Sequence, residues 1–198
     1  MNKNILKIAG ILVAVSFNAN AADSYYLKAG LMGTKLEDSE VESELLGKLG
    51  DVGYDTGFGA NAALGMRLNS NVALEAEFLH QESDVNNVNG TPISGSFEAN
   101  AVMANAVIDF LPGESISPYV GGGVGMANLT DGDYDDDVFA YQAFAGLNFK
   151  VGEKAAIYTG YRYFATEDLE VDYNDGVFEK TTFPYASHNV EAGFKLNF

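Results

Sequence analysis

The stretch Ser187-His188-Asn189-Val190-Glu191-Ala192-Gly193-Phe194-Lys195-Leu196-Asn197-Phe198 carries an apolar residue at every second place. Val190, Ala192, Phe194, Leu196 and Phe198 fall on one side of an extended chain. Asn189, Glu191, Gly193, Lys195 and Asn197 fall on the other. A period of two predicts a β-strand with one apolar and one polar face. An apolar strand that stops on an aromatic residue is odd in water. It is expected where the strand closes a sheet against lipid and its last aromatic sits at the interface.

The same alternation recurs seven times upstream. The strands predicted are Tyr25 to Lys35, Gly57 to Leu68, Val72 to His80, Phe97 to Phe110, Tyr119 to Asn128, Phe139 to Val151 and Ala155 to Ala165. Between them, long and short connections alternate. The long ones cover 36–56, 81–96, 129–138 and 166–186, and three of these are strongly acidic. The Glu- and Leu-rich middle of 36–56 predicts a short helix. The short ones centre on Asn69-Ser70-Asn71, Pro112-Gly113 and Gly152-Glu153-Lys154, all turn formers. Within the fifth strand, Gly121, Gly123 and Gly125 share one face, where neighbouring side chains can fill the space.

Composition narrows the class. At 198 residues, one domain is the default. The chain has 22 Gly, 11 Tyr and 13 Phe against 4 Pro, which suits a sheet protein. With no cysteine, a disulfide framework and a thiolate metal site are excluded. A net charge of −17 argues against nucleic acid or anionic lipid as an electrostatically recruited partner. Met1 to Ala21 reads as a secretory signal: Lys3 and Lys7, an apolar run from Ile8 to Phe17, then Ala19-Asn20-Ala21 as a small-x-small cleavage site. Removing those two lysines takes the charge from −17 to −19. The expected domain is 22–198.

Sidedness decides the solvent. The apolar face of each strand has no Asp, Glu, Lys or Arg. The strand charges lie opposite: Lys28, Arg67, Glu75, Glu77, Asp109, Lys150, Arg162, Glu191 and Lys195. A soluble barrel points its apolar face inward and its charges outward. Here the bases and carboxylates nearly cancel, so they can pair across a narrow lumen, and buried charges persist only when paired. On a lipid face each Lys or Arg would cost roughly 2–4 kcal/mol near the midplane. Strands of this length also match a tilted membrane crossing, and closure satisfies every backbone amide internally. The fold expected is all-β: a closed antiparallel eight-stranded up-and-down transmembrane β-barrel.

Three pieces carry a family resemblance: Pro118-Tyr119-Val120-Gly121-Gly122-Gly123-Val124-Gly125, Gly160-Tyr161-Arg162-Tyr163, and Tyr185-Ala186-Ser187-His188-Asn189-Val190-Glu191-Ala192-Gly193 running on to Phe198. With them the chain resembles the eight-stranded outer-membrane barrels of opacity-type surface antigens and OmpA-type transmembrane domains. The resemblance implies a bacterial outer-membrane location and a surface-facing role. The terminal pattern Phe194, Leu196, Phe198 resembles the signal read by the barrel-assembly machinery. With strand eight last, no periplasmic peptidoglycan-binding domain is expected to follow it, which departs from full-length OmpA-type proteins.

The candidate site residues are the interior charges Lys28, Arg67, Glu75, Glu77, Asp109, Arg162, Glu191 and Lys195, read as a packed ion-pair network in which Arg162 meets one or more of Glu75, Glu77 and Glu191. A conduction path is the alternative. Asp131, Asp133 and Asp135 form a weak calcium candidate, because oxygen ligands at i, i+2 and i+4 suit that ion. Gly and Glu are missing at its sixth and twelfth places, where Asp136 and Gln142 stand. Ser187 and His188 adjoin, but neighbours on a strand point to opposite faces, so no catalytic residue is assigned and no cofactor is expected. Tyr25, Phe58, Phe78, Phe110, Phe139, Tyr141, Phe149, Tyr161, Tyr163 and Phe198 are the expected interface girdle. The function expected is a non-enzymatic outer-membrane surface protein, structural or adhesin-like through four acidic extracellular loops. A narrow pore and a lipid-modifying enzyme are the rivals. Expected partners are outer-membrane lipid, the assembly machinery and host or environmental surface ligands, with the barrel itself monomeric.

Overall fold

The computed structural model describes residues 25–36, 39–43, 47–54, 56–88, 91–131, 134–167, 169–171, 181–183 and 185–198. Met1 to Ala21, the expected signal, lies outside them. The strands in chain order are β1 (Tyr25–Leu36), β2 (Ser39–Ser43), β3 (Gly47–Tyr54), β4 (Thr56–Arg67), β5 (Val72–Val88), β6 (Thr91–Asp109), β7 (Ile116–Asp131), β8 (Tyr134–Lys150), β9 (Ala155–Thr166), β10 (Leu169–Val171), β11 (Thr181–Phe183) and β12 (Ala186–Asn197).

Eight long strands make the barrel. Going round it, the order is β1, β4, β5, β6, β7, β8, β9, β12 and back to β1, every neighbour antiparallel. The first and last strands close it, with Leu31 opposite Ala192. Closure leaves the barrel wall without an open edge, as hydrocarbon requires. Both described chain ends lie at the side of the short turns. Phe198 donates its amide to Tyr25 O at 3.0 Å, and Asn69 Oδ1 accepts the amides of Asn71 and Val72 at 2.9 Å each. In an outer-membrane barrel the short turns are periplasmic and the long connections extracellular.

Two expectations need correcting at the extracellular side. First, no short helix stands in the described part of 36–56. Strands β2 and β3 pair with each other there, and β3 pairs with the outer end of β5, Val52 opposite Val88. The physical reason is templating: β5 outruns β4, and the edge so exposed offers unpaired amides and carbonyls that an extended segment can satisfy. Second, segments 81–96 and 129–138 are largely strand rather than loop. Strands β5, β6, β7 and β8 run 17, 19, 16 and 17 residues, against about 9–11 needed to cross a bilayer. Their ends extend past the length that a bilayer crossing needs, at the side of the long connections.

Burial follows the alternation. Leu27 and Leu31 on β1, Phe58 on β4, Val124 and Met126 on β7, and Val190, Phe194 and Leu196 on β12 are all exposed on the outside. The residues between them, among them Tyr26, Lys28, Glu77, Asn105, Arg162 and Glu191, are buried inside. In β7 a Cβ at Gly121 would overlap the Phe144 ring, and one at Gly123 would overlap the Asn105 amide. Two interior side chains from β8 and β6 occupy the space those glycines vacate.

Gly121→Val should therefore overpack the lumen and cost about 1–3 kcal/mol. Gly33→Val is the control, because a Cβ there meets nothing within 4 Å and points outward. Unfolding in detergent, followed by the mobility difference between boiled and unboiled samples, should separate the two; equal transitions would refute the overpacking.

Candidate functional site

The interior is layered along the barrel axis. The periplasmic layer gathers Tyr26 from β1, Arg67 from β4, Glu75 from β5, Asp109 from β6 and Lys195 from β12. Asp109 Oδ2 faces Lys195 Nζ at 3.6 Å and Arg67 Nη1 at 3.8 Å. Its other oxygen accepts from Ser117 at 2.6 Å and Asn148 at 3.2 Å. Arg67 also donates to Asn197 Oδ1 at 2.9 Å. The Tyr26 hydroxyl donates to Glu75 Oε1 at 2.7 Å, and Lys195 Nζ lies 4.1 Å from the centre of the Tyr26 ring. A cavity of about 380 Å³ opens at this end, with Arg67, Asp109 and Lys195 on its wall and Lys150 at its rim. Lys150 is exposed, unlike the other strand charges.

The middle layer is centred on Arg162 of β9, whose relative exposure is 0%. Its Nη2 lies 2.8 Å from Glu77 Oε1 and 2.9 Å from Glu191 Oε2. Its Nη1 donates to Glu77 Oε2 at 2.9 Å and to Gln142 Oε1 at 2.5 Å. Glu77 also accepts from Asn61 at 2.8 Å, Asn105 at 2.7 Å and Gln142 at 2.8 Å. Lys28 faces Glu191 at 3.8 Å, with the Tyr158 ring centre at 4.4 Å and that of Phe144 at 5.2 Å. Glu77 and Glu191 thus meet Arg162, whereas Glu75 is held one layer below by Tyr26. Among the described residues four interior cations and four interior carboxylates form two charge-balanced layers. Burial of charges is tolerable only with such partners.

Above it, Gln81 donates to Asn189 Oδ1 at 2.9 Å, and Thr34 donates to the same oxygen at 2.7 Å. Gln81 Oε1 accepts from Tyr185 at 2.9 Å and Ser187 at 3.1 Å. Around this amide network the inner face turns apolar: Met32, Leu36, Leu79, Met103, Leu129 and Phe164 pack together with several alanines. The outer face changes in the opposite sense at the same height. Phe78 and Met126 are followed by His80 and Asn128, and Val102 and Phe139 are preceded by Asn100 and Asp137. His80 Nδ1 lies 3.0 Å from Asn100 Oδ1. The barrel therefore changes from membrane sidedness to water sidedness along single strands.

The remaining candidates fall as follows. Ser187 is fully buried in the lumen, while its neighbour His188 faces out beside Tyr161 and Tyr163. The two do not meet as a dyad. Phe194, Leu196 and Phe198 are all exposed on the outside of the wall. Tyr25, Phe110, Phe149 and Phe198 lie on the outside toward the periplasmic end; Phe58, Phe78, Phe139, Tyr141, Tyr161 and Tyr163 lie on the outside toward the other. Asp133 and the side chains of Asp131 and Asp135 are outside the described residues; the backbone carries β7 up to Asp131 and β8 down from Tyr134. Sequence reasoning left out the polar and aromatic partners Asn61, Asn105, Gln142, Tyr158 and Phe144. The parity that places Lys28 and Arg162 inside places each of these inside too, and would have found them.

A family model described as "Outer membrane protein beta-barrel domain" matches residues 8–198. Among solved structures, Neisserial surface protein A is similar at 18% identity, covering 90% of this chain and 99% of its own, with a TM-score of 0.60. OprG from Pseudomonas aeruginosa is similar at 14% identity, covering 89% and 96%, with a TM-score of 0.65. Outer membrane protein W of E. coli is similar at 14% identity, covering 90% and 100%, with a TM-score of 0.51. These identities speak for the fold alone. Among curated protein sequences nothing matches the chain.

Arg162→Ala leaves Glu77 and Glu191 buried beside an empty site, and should cost about 3–5 kcal/mol. Lys150→Ala at the exposed rim should stay within about 0.5 kcal/mol of the parent. Urea unfolding in lipid vesicles measures both. Replacing Arg162 together with Glu77 by residues of similar volume should recover part of the loss, since one unpaired charge goes with its partner.

Proposed function

The chain belongs to the outer membrane protein beta-barrel domain family and is a bacterial outer-membrane β-barrel; from that premise we propose that it is a non-enzymatic surface protein whose lumen is shut and whose working parts are its extracellular connections. The observation that carries this is Arg162. It spans from β9 to Glu77 on β5 and Glu191 on β12, fully buried, so that a cross-strut of three side chains fills the middle of the bore. Eight strands enclose little more than the side chains they carry. The packing of Met32, Leu79, Met103 and Phe164 around the Gln81–Asn189 amide network adds a second filled layer above the strut.

Function then falls to what stands outside. The segment 36–56 carries Glu37, Asp38, Glu40, Glu42, Glu44, Asp51 and Asp55, and 166–186 carries Glu167, Asp168, Glu170, Asp172, Asp175 and Glu179. Paired strands rising above the bilayer hold such connections away from the lipid headgroups. A rigid scaffold with variable tips is how barrels and sandwiches present binding surfaces. The partner class that fits is a basic or cation-bridged surface of a host or the environment.

The narrow-pore reading has one observation in its favour, the periplasmic cavity lined by Arg67 and Lys195. Under the proposed reading this is a blind vestibule that stops at Arg162. Planar-bilayer recording of the purified barrel separates them: no steady open levels are expected, and steady open levels from the parent protein would overturn the closed lumen. Cells displaying the chain should bind a polylysine-coated surface, with less binding at high salt and less again when the acidic residues of 36–56 become Asn and Gln.

A further inference from the structure

The outer face of β1, β12 and β9 places a cationic and aromatic row directly above an apolar one. In the register of those strands Lys35 stands opposite His188, and His188 stands opposite Tyr163. Adjacent strands lie about 4.8 Å apart, so the three residues span about 10 Å of the wall. Lys35 is exposed, and His188 and Tyr163 are half-buried. His188 packs between two tyrosines, with ring centres 6.0 Å from Tyr161 and 5.4 Å from Tyr163. The Tyr161 hydroxyl and His188 Nδ1 share a hydrogen bond. With the phenol as donor, the ring proton of His188 sits on Nε2.

The row beneath is Phe58, Gly33, Val190 and Tyr161, paired in that order across β4, β1, β12 and β9. Val190 is 67% exposed and Phe58 59%, while Gly33 has no side chain and open space where one would stand. This is a shallow slot on the lipid side, walled by Phe58 and Val190, with the Lys35–His188 row as its upper end. Gly33 therefore marks where apolar wall gives way to cation, at the outer-leaflet headgroup level set by the girdle residues Phe58 and Tyr161.

Elsewhere on that boundary the charges described are carboxylates, beside the neutral Asn100 and Asn128 and the half-buried His80. On β5, β6 and β8 the outward residues at the polar edge include Glu82, Glu98 and Asp137. Among the residues whose side-chain burial is described, Lys35 is the outward-facing lysine at the extracellular end. The chain's net charge of −17 disfavours any whole-molecule attraction to an anionic surface, so an anion held at the wall must be held by a local group. A cation at the interface above an apolar slot suits one lipid chemistry: a phosphate at the head and an acyl chain at the tail. The half-buried tyrosine and histidine rings add an apolar face on which a sugar ring can stack.

We propose that the Lys35–His188–Tyr163 row, with the Gly33 slot below it, is a docking site for a phosphorylated glycolipid of the outer leaflet. Lys35 donates to the phosphate, the His188, Tyr161 and Tyr163 rings carry the sugar, and one acyl chain lies over Gly33 between Phe58 and Val190. The site is independent of the loops' partner and survives any outcome for the lumen.

The test uses the full barrel, folded in detergent and checked by its heat-modifiable gel shift, exposed to bisphosphorylated lipid A or to the same lipid with its phosphates removed. Native mass spectrometry reads the lipid retained. The phosphorylated lipid should be retained over the dephosphorylated one, by about fivefold for the loss of one interfacial cation's attraction. Lys35→Gln with His188→Ala should abolish that preference, Lys35→Arg should keep it, and Lys150→Gln at the periplasmic end should leave it unchanged. Equal retention of the two lipids by the parent barrel would overturn the site without any variant. So would a preference that persists in the double variant, and so would one that vanishes with EDTA, since the phosphate would then sit on the acidic arc through a divalent ion.

Discussion

Hydrocarbon offers no hydrogen-bond partner to a peptide group, and this barrel's form follows from that. Each unpaired amide in lipid would cost several kcal/mol. The chain meets the demand by returning β12 to β1, so that the eight long strands have no free edge where lipid lies. Closure at eight strands then sets the width of the bore. A bore that narrow must be filled by the side chains that alternate inward. The inward set includes charges, and inward charges must find partners within it.

Those partners come from strands far apart in sequence. Arg162 is 85 residues from Glu77 and 29 from Glu191, and its fork reaches both because β12 is the neighbour of β9 in the wall and β5 lies across the lumen. Buried ion pairs are a weak source of net stability but a strong penalty when broken. Their value here is in holding position. With the strut seated, strand register and sidedness are locked together, because a one-residue slip would turn Arg162, Glu77 or Glu191 into lipid. Glycines such as Gly121 and Gly123 complete the fit by giving up volume to Phe144 and Asn105.

The sidedness is not constant along the strands. In the membrane the wall is oily outside and charged inside. At the extracellular boundary the outer face takes His80, Asn100, Asn128 and Asp137, and the inner face takes Leu79, Ala101, Ala127 and Ala140. Each of these four strands, β5 to β8, thus changes its pattern as it leaves the membrane. The upper barrel packs Leu79, Met103, Leu129 and Phe164 around an amide network and carries the connections beyond the crossing length. The aromatic residues of the girdle mark the height of the change.

Read residue by residue, the alternation was enough to place Val190, Phe194 and Phe198 on the lipid side and Lys28, Glu77 and Arg162 inside. It also gave strand count, strand order and the split between short and long connections, because a period of two is a local property and lipid leaves one topology for it. The ends of the strands were less legible. Residues 81–96 and 129–138 break the membrane pattern when the outer face turns polar, so they resemble loops although they pair as strands. The segment 36–56 resembles a helix because Glu and Leu favour one, and only the exposed edge of β5 draws it into the sheet.

By itself, then, the chain determined which side of each strand meets lipid and which is shut away, since that follows from spacing alone. The tertiary structure decided which carboxylate meets which cation: Glu77 and Glu191 with Arg162, Asp109 with Arg67 and Lys195, and Glu75 with Tyr26. It also decided that Lys35, His188 and Tyr163 share one row. Both depend on the shear between strands and on closure. These are properties of the whole cylinder that no stretch of alternating residues contains.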